Sequence, residues 1–312
     1  MKTALLTEKG FIIEEIPIPE TDENSLLIKT VACGICEGDI FQYRKAKGGT
    51  PLRKQLGHEG SGIVVKAGKN VKDFSEGDRV TVLGGPYSEY FEVKASSAVK
   101  VPGNIKLETV LGEPVACFMH AAKRFGIKKG ERIAVIGCGF MGLGCLQLAK
   151  REGAGEIIAL EPIEWRRKKA LECGADKAIN PSGLSPDAIL RNFGEFDVII
   201  EATGIQEAID VSSVLVREHG RIILIGYHQS NDGIRSVDMR QWNYKAIDII
   251  NGHVRREDEK LDAMREAVSL EADGLLKMEN LVSVYEFSDI EEAFKDLISR
   301  KENLFKAVLK LS

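Results

Sequence analysis

Residues 132–161 read RIAVIGCGFMGLGCLQLAKREGAGEIIALE, and this stretch decides the fold. A short apolar strand leads into glycines spaced as G-x-G-x-x-G, at Gly137, Gly139 and Gly142, and an apolar helical segment follows. A second apolar strand then ends in Glu161, nineteen residues after Gly142. In such a strand–turn–helix–strand unit the glycines let the backbone approach a pyrophosphate at the positive end of the helix. The stretch therefore predicts a dinucleotide-binding turn; a glycine-rich core turn that binds nothing is the alternative.

The acid at the end of the second strand predicts which nucleotide the turn binds. A carboxylate at Glu161 would accept hydrogen bonds from the ribose hydroxyls and repel a 2′-phosphate, which favours NAD over NADP. Arg166 and Arg167 follow five and six residues later. They could instead accept a 2′-phosphate, but a solvated helix face is the favoured interpretation.

The chain around this unit predicts an α/β protein. Segments of helical pattern separate most of six apolar strands, and this alternation indicates a parallel sheet with helices on both faces. Before it, the first hundred residues hold short β-branched segments between glycine-rich or charged turns, which predict β structure. After Gly252, a charged helix leads to a further helix, a turn and a closing strand. The six predicted strands are RIAVIG, EIIALE, KAIN, DVIIEATG, RIILIGY and AIDIING.

Composition excludes several classes of function. The 312 residues carry 43 basic and 47 acidic side chains, a net charge of −4, so there is neither a basic footprint for nucleic acid nor a polybasic membrane patch. The N-terminus has no apolar signal region, and the longest uncharged run is slightly short for a membrane span and contains four glycines. The six cysteines form no secreted-type framework. We therefore expect a cytoplasmic protein.

Two upstream segments predict a metal site. Cys33 and Cys36 lie in CGICEGD, and His58 and Glu59 lie in GHEG. Thiolate, imidazole and carboxylate are zinc ligands, and no second C-x-x-C completes a structural four-ligand site, so a catalytic zinc with room for water is favoured. Asp39 is a candidate acceptor for the ring N–H of His58. The alternative is that the cysteines are buried strand thiols and His58 a turn residue.

These motifs occur in a recognisable order. CGICEGD, GHEGSGIVVKAGKNVKDFSEGDRV, GGPYSEYFEV, LGEPVAC, VIGCGFMGLGCLQLAK, EATG and RIILIGY follow one another over nearly the whole chain. The chain resembles the zinc-dependent medium-chain dehydrogenase/reductase superfamily, in its alcohol and polyol dehydrogenase branch. The resemblance implies a GroES-like β-barrel catalytic domain and a Rossmann domain with a doubly wound parallel sheet.

The resemblance also assigns the zinc ligands. It makes Cys36 the zinc thiolate, leaves Cys33 as a buried strand residue, and gives His58 as the imidazole ligand and Glu59 as the neighbouring carboxylate. A further ligand follows the domain crossover; here it is Glu113 of LGEPVAC, where a carboxylate is typical of the polyol-like branch. Whether Glu59 or Glu113 is the resting ligand stays open, and an exposed acid at a helix start is the alternative for Glu113.

Cofactor contacts come from the same resemblance. Beside the glycines and Glu161, it implies contacts from the turn, the EATG segment and the end of RIILIGY, with Arg166 as a further candidate. We expect one zinc ion and one NAD per chain, with NADP less favoured. The added contact residues are Phe140, Met141, Thr203, Gly226 and Tyr227.

The chain departs from its relatives at two positions. Many carry a second, structural zinc bound by four clustered cysteines after GDRV, where this chain has Gly84-Gly85-Pro86-Tyr87. Relatives also place Ser or Thr two residues after the zinc cysteine to start a proton relay, where this chain has Gly38. We take His228 as the first candidate for a replacement relay, Glu37 as the second and Glu59 acting through water as the third. Plain water in the space at Gly38 is the alternative.

The implied domain order is a split catalytic domain. Residues 1–115 form the GroES-like part, 116–261 the inserted Rossmann domain, and 262–312 return to the first domain. The cleft between them would hold zinc, substrate and nicotinamide. We expect a homo-oligomer, a dimer or a tetramer.

The predicted activity is hydride transfer between NAD(H) and an alcohol or ketone. A polyol, cyclitol or sugar-acid secondary alcohol is favoured because polar residues follow the strands at the expected nicotinamide end. Two alternatives stay open: an epimerase or lyase that oxidises its substrate only transiently, and a non-catalytic NAD-binding relative. The polar residues are Tyr227, His228, Gln229, Asn251 and His253.

Overall fold

The computed structural model describes residues 1–312 and divides them into two compact units. The first comprises Met1–Ala116 with Arg256–Ser312, and the second Cys117–Arg255. The return to the first unit was expected at residue 262. The boundary between the compact units lies at Arg256, and the helix that starts at Glu257 contacts the strand Ala98–Lys100 of the first unit. None of the helices combines the length and apolar character that a membrane crossing requires.

The elements are numbered along the chain. The strands are β1 (Lys2–Thr7), β2 (Gly10–Glu15), β3 (Ser25–Gly34), β4 (Arg53–Gln55), β5 (Glu59–Ala67), β6 (Arg79–Val82), β7 (Tyr90–Lys94), β8 (Ala98–Lys100), β9 (Arg132–Ile136), β10 (Glu156–Leu160), β11 (Lys177–Ile179), β12 (Phe196–Glu201), β13 (Val216–Leu224), β14 (Asp248–Asn251), β15 (Val282–Glu286) and β16 (Lys306–Lys310). The helices are α1 (Glu37–Lys47), α2 (Gly112–Phe125), α3 (Phe140–Arg151), α4 (Glu164–Glu172), α5 (Pro186–Phe193), α6 (Gln206–Leu215), α7 (Met239–Lys245), α8 (Glu257–Ala272) and α9 (Ile290–Ile298).

The first unit is built around β3. This strand pairs antiparallel with β5, β7 and the C-terminal strand β16, within a sheet ordered β15-β16-β3-β5-β6-β8. A smaller sheet, β2-β1-β4, lies beside the aromatic core that Tyr43, Tyr87 and Phe294 form. Because β16 pairs with the end of β3, the last residues of the chain lie next to the segment that carries Cys36.

The second unit is a six-stranded parallel sheet in the order β11-β10-β9-β12-β13-β14. This is the doubly wound order, in which ligands bind outside the carboxyl ends of the strands where the order reverses. The reversal lies between β9 and β12, next to the glycine turn that follows β9. The predicted α/β class and all six strands are confirmed.

Two elements differ from the sequence prediction. The helix predicted over QEAIDVSSVLVREHG ends at Leu215, because Val216 is extended (φ −69°, ψ 135°) and pairs with Phe196 as the first residue of β13. A β-branched residue that is fully buried in a sheet is more stable there than in a helix. The other difference is α1, an amphipathic helix within the region predicted as β structure.

Candidate functional site

The register of two strands brings the predicted metal ligands together. β3 and β5 pair antiparallel with Gly34 opposite Glu59. Cys36 follows β3 as the N-cap residue of α1, and His58 directly precedes β5. The ligand atoms of Cys36, His58 and Glu59 therefore all lie within 4.8 Å of one another. Thiol, imidazole and carboxylate in one cluster fit a zinc ion that keeps a position for substrate or water.

The surroundings of Cys36 determine its protonation state in the metal-free protein. Burial, followed by the charge of Glu59, raises the pKa of the Cys36 thiol to about 12. Without a cation the sulfur therefore holds its proton at neutral pH. A coordinated divalent cation deprotonates a thiol outright. Bound zinc would therefore convert Cys36 to the thiolate that serves as a ligand.

Asp39 lies beside both ligand segments. Its Oδ2 accepts hydrogen bonds from the backbone N–H of Cys36 at 3.2 Å and from the hydroxyl of Tyr87 at 2.7 Å. Its Oδ1 lies 3.8 Å from Nδ1 of His58, which is beyond hydrogen-bond distance but on the predicted side of the ring. Cys33 points elsewhere: it is fully buried, and its Sγ donates to the carbonyl of Gly85 at 3.2 Å.

Glu113 does not belong to this cluster in the structure. It lies at the start of α2 and forms an ion pair with Lys260 of α8. Its charge nevertheless acts on Glu59 and on Lys306, so it is a close neighbour of the site. Gly38 lies in the first turn of α1, and a Cβ there would be 3.8 Å from Sγ of Cys36. A side chain at this position would therefore lie next to the metal-binding sulfur, and Gly38 offers no hydroxyl there.

In the second unit, the three motif glycines have the geometry of a dinucleotide turn. Gly137 has φ +91°, a conformation that favours glycine, and a Cβ at Gly142 would lie 2.0 Å from the carbonyl oxygen of Gly137. Gly139 is the N-cap residue of α3, and a Cβ there would meet no atom within 4 Å. The turn is thus tight where helix and strand meet and open above the helix N-terminus. Phe140 and Met141 start that helix.

Glu161 lies against this turn. Its Oε2 accepts the backbone N–H of Cys138 at 2.9 Å and its Oε1 that of Ile163 at 3.0 Å, and it is 3% exposed. Arg167 donates to the carbonyl of Glu161 at 2.9 Å, while Arg166 lies 5.1 Å from the ring centroid of Trp165. Both arginines therefore have contacts within their own segment.

The ends of β12 and β13 carry a buried polar group. Oε1 of Glu201 accepts the backbone N–H groups of Thr203 and Gly204 at 2.7 and 2.9 Å. Oε2 of Glu201 lies 3.1 Å from Nε2 of His228, and Nδ1 of His228 accepts Nε–H of Arg235 at 3.0 Å. Both ring nitrogens of His228 thus face a charged neighbour.

The remaining predicted residues surround that group. Nε2 of His253 lies 3.3 Å from the carbonyl of Gly226, and Tyr227 is 45% exposed. The carbonyl of Asn251 accepts a hydrogen bond from Arg124, and Gln229 precedes a short 3₁₀ turn. The structure therefore gathers one set of predicted residues in each unit.

Sequence reasoning missed the partners that hold these groups. Three of them lie 48 or more positions along the chain from the residue they contact, the fourth, Arg235, lies seven positions from His228, and no local pattern marks any of them. Only a buried lysine in an apolar strand, as in FKAVLKL, gave a signal that could have been used. The missed residues are Tyr87, Lys260, Lys306 and Arg235.

Comparison with known proteins gives the family. Residues 22–103 match the family described as alcohol dehydrogenase GroES-like domain, and residues 141–270 match zinc-binding dehydrogenase. Human sorbitol dehydrogenase is 30% identical over 253 residues, which cover 69% of this chain and 71% of that protein. An alcohol dehydrogenase of Geobacillus stearothermophilus is 29% identical over an alignment of 354 positions, which covers 100% of this chain and 99% of that protein.

Solved structures agree. A zinc-binding dehydrogenase from Sinorhizobium meliloti bound to NADP superposes with a TM-score of 0.84 at 25% identity, over 99% of this chain and 98% of that one. The predicted GroES-like and Rossmann pairing is thereby confirmed. On these matches, the chain belongs to the zinc-dependent medium-chain dehydrogenase/reductase superfamily, the oxidoreductases that include the alcohol and sorbitol dehydrogenases.

Proposed function

We propose that this protein is a zinc-dependent, NAD-linked dehydrogenase of a secondary alcohol, with a polyol, a cyclitol or a sugar acid as the favoured substrate class. The observation that carries the proposal is the cluster of Cys36, His58 and Glu59, whose ligand atoms lie within 4.8 Å of one another. The tight glycine turn with Glu161 against it supports the nucleotide half of the reaction.

Each side chain of the metal cluster has a distinct task. When bound, zinc supplies Lewis-acid polarisation of the alcohol oxygen, and NAD supplies the hydride acceptor. Cys36 and His58 would hold the ion, and Glu59 would complete the set as a carboxylate. Asp39 would keep the imidazole of His58 in one orientation. Glu113 could join only by exchanging its ion pair with Lys260 for the metal.

NAD is the proposed nucleotide because Glu161 presents a buried carboxylate where a 2′-phosphate would have to lie. Arg167 is held by the carbonyl of Glu161, whereas Arg166 lies over the ring of Trp165 and its charge acts on Cys138 of the glycine turn, so Arg166 is the residue that would meet a 2′-phosphate if NADP were bound. Thr203, Gly226 and Tyr227 would contact the nucleotide from the neighbouring strand ends.

Two observations support a polyhydroxy substrate. The chain matches sorbitol dehydrogenase, and its candidate zinc set contains two nearby carboxylates, each paired with a lysine. Each carboxylate is thereby neutralised by a lysine, so the two pairs add no net charge beside the zinc ion and its thiolate, which suits an uncharged polyol or cyclitol. Because Gly38 has no hydroxyl, the proton of the alcohol would leave through Glu37 or through water held near Glu59. His228, the first candidate from the sequence, is less suited because its ring nitrogens face Arg235 and Glu201.

The test is a panel of polyols, cyclitols, sugar acids and simple secondary alcohols, with zinc-loaded protein and either nucleotide. Net NADH, measured by absorbance, together with a ketone product identifies a dehydrogenase. A changed product without net NADH indicates transient oxidation, as in an epimerase or a lyase. Binding of NAD without turnover of any member of the panel would contradict the proposal and favour a non-catalytic relative.

A further inference from the structure

The segment Gly84–Tyr87 is hydrogen-bonded to the stretch from Leu56 to Gly60, which contains His58. The backbone N–H of Gly84 donates to the carbonyl of His58 at 3.1 Å, and the backbone N–H of Gly60 donates to the carbonyl of Gly84 at 2.8 Å. At the other end, the N–H of Tyr87 donates to the carbonyl of Leu56 at 3.0 Å. Three hydrogen bonds thus fix this segment against the stretch from Leu56 to Gly60, which contains two of the three candidate ligands.

The side chain of Tyr87 reaches the other ligand segment. The residue is fully buried, and its hydroxyl donates to Oδ2 of Asp39 at 2.7 Å. Its ring lies against Gly57, which has φ +98°, and a Cβ at Gly57 would be 2.9 Å from Cδ1 of Tyr87. Tyr87 therefore contacts the residue before His58 with its ring and the residue three after Cys36 with its hydroxyl.

Asp39 links this tyrosine to the candidate ligands. The same Oδ2 accepts the backbone N–H of Cys36, and Oδ1 faces Nδ1 of His58 at 3.8 Å. Asp39 is 4% exposed, so its carboxylate has few alternative partners. The hydroxyl of Tyr87 and the backbone N–H of Cys36 together hold Oδ2, and Oδ1 is left as the oxygen that faces His58.

We propose that Tyr87 is a positioning residue for the metal site, acting through Asp39 on His58 and Cys36. The inference rests on the proposed metal site at Cys36, His58 and Glu59. Without the hydroxyl, Oδ2 of Asp39 loses a charge-assisted hydrogen bond and keeps the backbone N–H of Cys36, so the carboxylate is held less firmly. Asp39, whose Oδ1 lies 3.8 Å from Nδ1 of His58, is then a less well-placed outer partner of the candidate ligands, and outer partners of this kind typically contribute about 10–100-fold to metal affinity.

A matched control lies in the same core. Tyr43 is 5% exposed and packs with Phe294 in the aromatic cluster that also contains Tyr87. Its hydroxyl donates to Oε1 of Glu291 at 2.6 Å and makes no recorded contact with Asp39. Tyr43→Phe and Tyr87→Phe therefore each remove one hydroxyl from the same aromatic cluster and keep the ring. Only Tyr87→Phe removes a hydrogen bond from Asp39.

The experiment measures the affinity of the purified full-length protein for Zn²⁺, by competition with a chromophoric chelator. The intensity of the thiolate-to-cobalt band after loading with Co²⁺ gives a second readout, and neither depends on activity. Tyr87→Phe should weaken zinc binding about 10–100-fold and alter the cobalt band. Tyr43→Phe should leave both within twofold of the parent, even if the two variants lose similar stability in urea.

An Asp39→Ala background separates positioning from general loosening. If Tyr87 acts through Asp39, the effect of Tyr87→Phe on affinity should largely disappear there. Equal zinc affinity in the parent and Tyr87→Phe, or an equal loss in Tyr43→Phe, would overturn this inference and leave the metal site intact. A parent that binds neither Zn²⁺ nor Co²⁺ would overturn the metal site itself, and with it this inference. If Asp39→Ala does not fold, the comparison of the two tyrosine variants still decides.

Discussion

Lys306 donates a hydrogen bond from Nζ to Oε1 of Glu59 at 2.7 Å, and the same nitrogen lies 2.6 Å from Oε2. Lys306 is 7% exposed and Glu59 is 1% exposed, so the pair is buried. It joins the last strand of the chain to the residue after His58, across 247 positions. The carboxylate proposed as a zinc ligand is thus already engaged with a cation of the protein itself.

Removing only the lysine should therefore be costly. Lys306→Met leaves Glu59 buried without its counter-charge, and breaking a buried ion pair in this way costs about 3–5 kcal/mol. We expect a loss of this size in the free energy of unfolding of the metal-depleted protein, measured in urea.

The double variant Glu59→Gln with Lys306→Met provides the control, because it removes both charges. It should recover a large part of the lost stability, since replacing a whole buried pair is often close to neutral. A double variant that is as unstable as Lys306→Met would show that packing at Lys306, and not the stranded charge of Glu59, accounts for the loss.

The two cysteines of C-x-x-C should differ in their effect on metal content. Cys36→Ser should lose zinc and activity, because a hydroxyl is a far poorer zinc ligand than a thiolate. Cys33→Ser should keep about one zinc per chain, because its Sγ donates to the carbonyl of Gly85 instead. Metal analysis of both purified variants checks this. An empty site in Cys33→Ser together with a full one in Cys36→Ser would mean that the ligand assignment is wrong.

Glu161 should set the preference between the nucleotides. Glu161→Ala removes the proposed ribose acceptor and the repulsion of a 2′-phosphate. The kcat/KM for NAD should therefore fall roughly tenfold or more, and the ratio of kcat/KM for NAD to kcat/KM for NADP should decrease. Because Glu161 also accepts the N–H of Cys138, a loosened turn would lower kcat/KM for both nucleotides alike. The change in the ratio is therefore the decisive quantity.

The control for this measurement is Glu164→Ala, which removes an exposed acid that pairs with Lys168 at the start of α4. It should leave the ratio unchanged. A parent protein that prefers NADP would contradict the role of Glu161 and direct attention to Arg166 or Arg167.

A half-buried acid away from both sites, with one buried carboxylate oxygen, predicts a pH dependence of stability. Burial, with the charge of Glu279 in addition, raises the pKa of Glu271 to about 8, and its Oε1 has no hydrogen-bond partner. The folded chain therefore holds a proton that the unfolded chain, with an ordinary pKa of about 4.3, releases. This contribution to stability is complete below about pH 4 and is lost as the pH rises towards 8.

Glu271→Gln should remove this loss. Between about pH 5 and pH 8 the parent should lose stability relative to Glu271→Gln, as measured by urea unfolding at each pH. Asp262→Asn changes an exposed acid on the same helix and should parallel the parent. Parallel profiles for the parent and Glu271→Gln would show that Glu271 is ionised in the fold.

Local patterns in the sequence account for the elements and for the metal ligands, but not for what holds those ligands. The glycine spacing and the apolar strands predicted the six-stranded sheet, and the residue types predicted that Cys36 and His58 would cluster. The pairs Tyr87–Asp39 and Lys260–Glu113 join residues 48 and 147 positions apart. No periodicity encodes such contacts, because they follow from how whole strands and helices pack. For the same reason Val216, whose β-branched side chain continues a helical pattern, was assigned to the wrong element.

The proton of the alcohol must leave by a different path in this protein, because Gly38 lacks the hydroxyl that relatives use there. His228 was the first candidate from the sequence, because histidine is the common proton-transfer group in proteins. In the structure Nδ1 of His228 accepts Nε–H of Arg235, so the neutral ring carries its proton on Nε2, which faces the buried Glu201. A relay needs a nitrogen that can exchange its proton, and neither nitrogen is open in this arrangement.

We therefore expect His228→Ala to keep the shape of the parent's pH–rate profile and to gain nothing from added imidazole. Its main effects should be a higher KM for NAD and lower stability, because Glu201 and Arg235 lose the ring between them. Arg235→Ala is the matched comparison: if His228 only positions the segment after β13, both variants should shift KM in the same direction. A fall in kcat of roughly 10²–10⁴-fold in His228→Ala, partly restored by imidazole, would instead establish the relay. Since the proton of the alcohol has to leave the site in every turnover, excluding His228 leaves Glu37 or water near Glu59 to carry it.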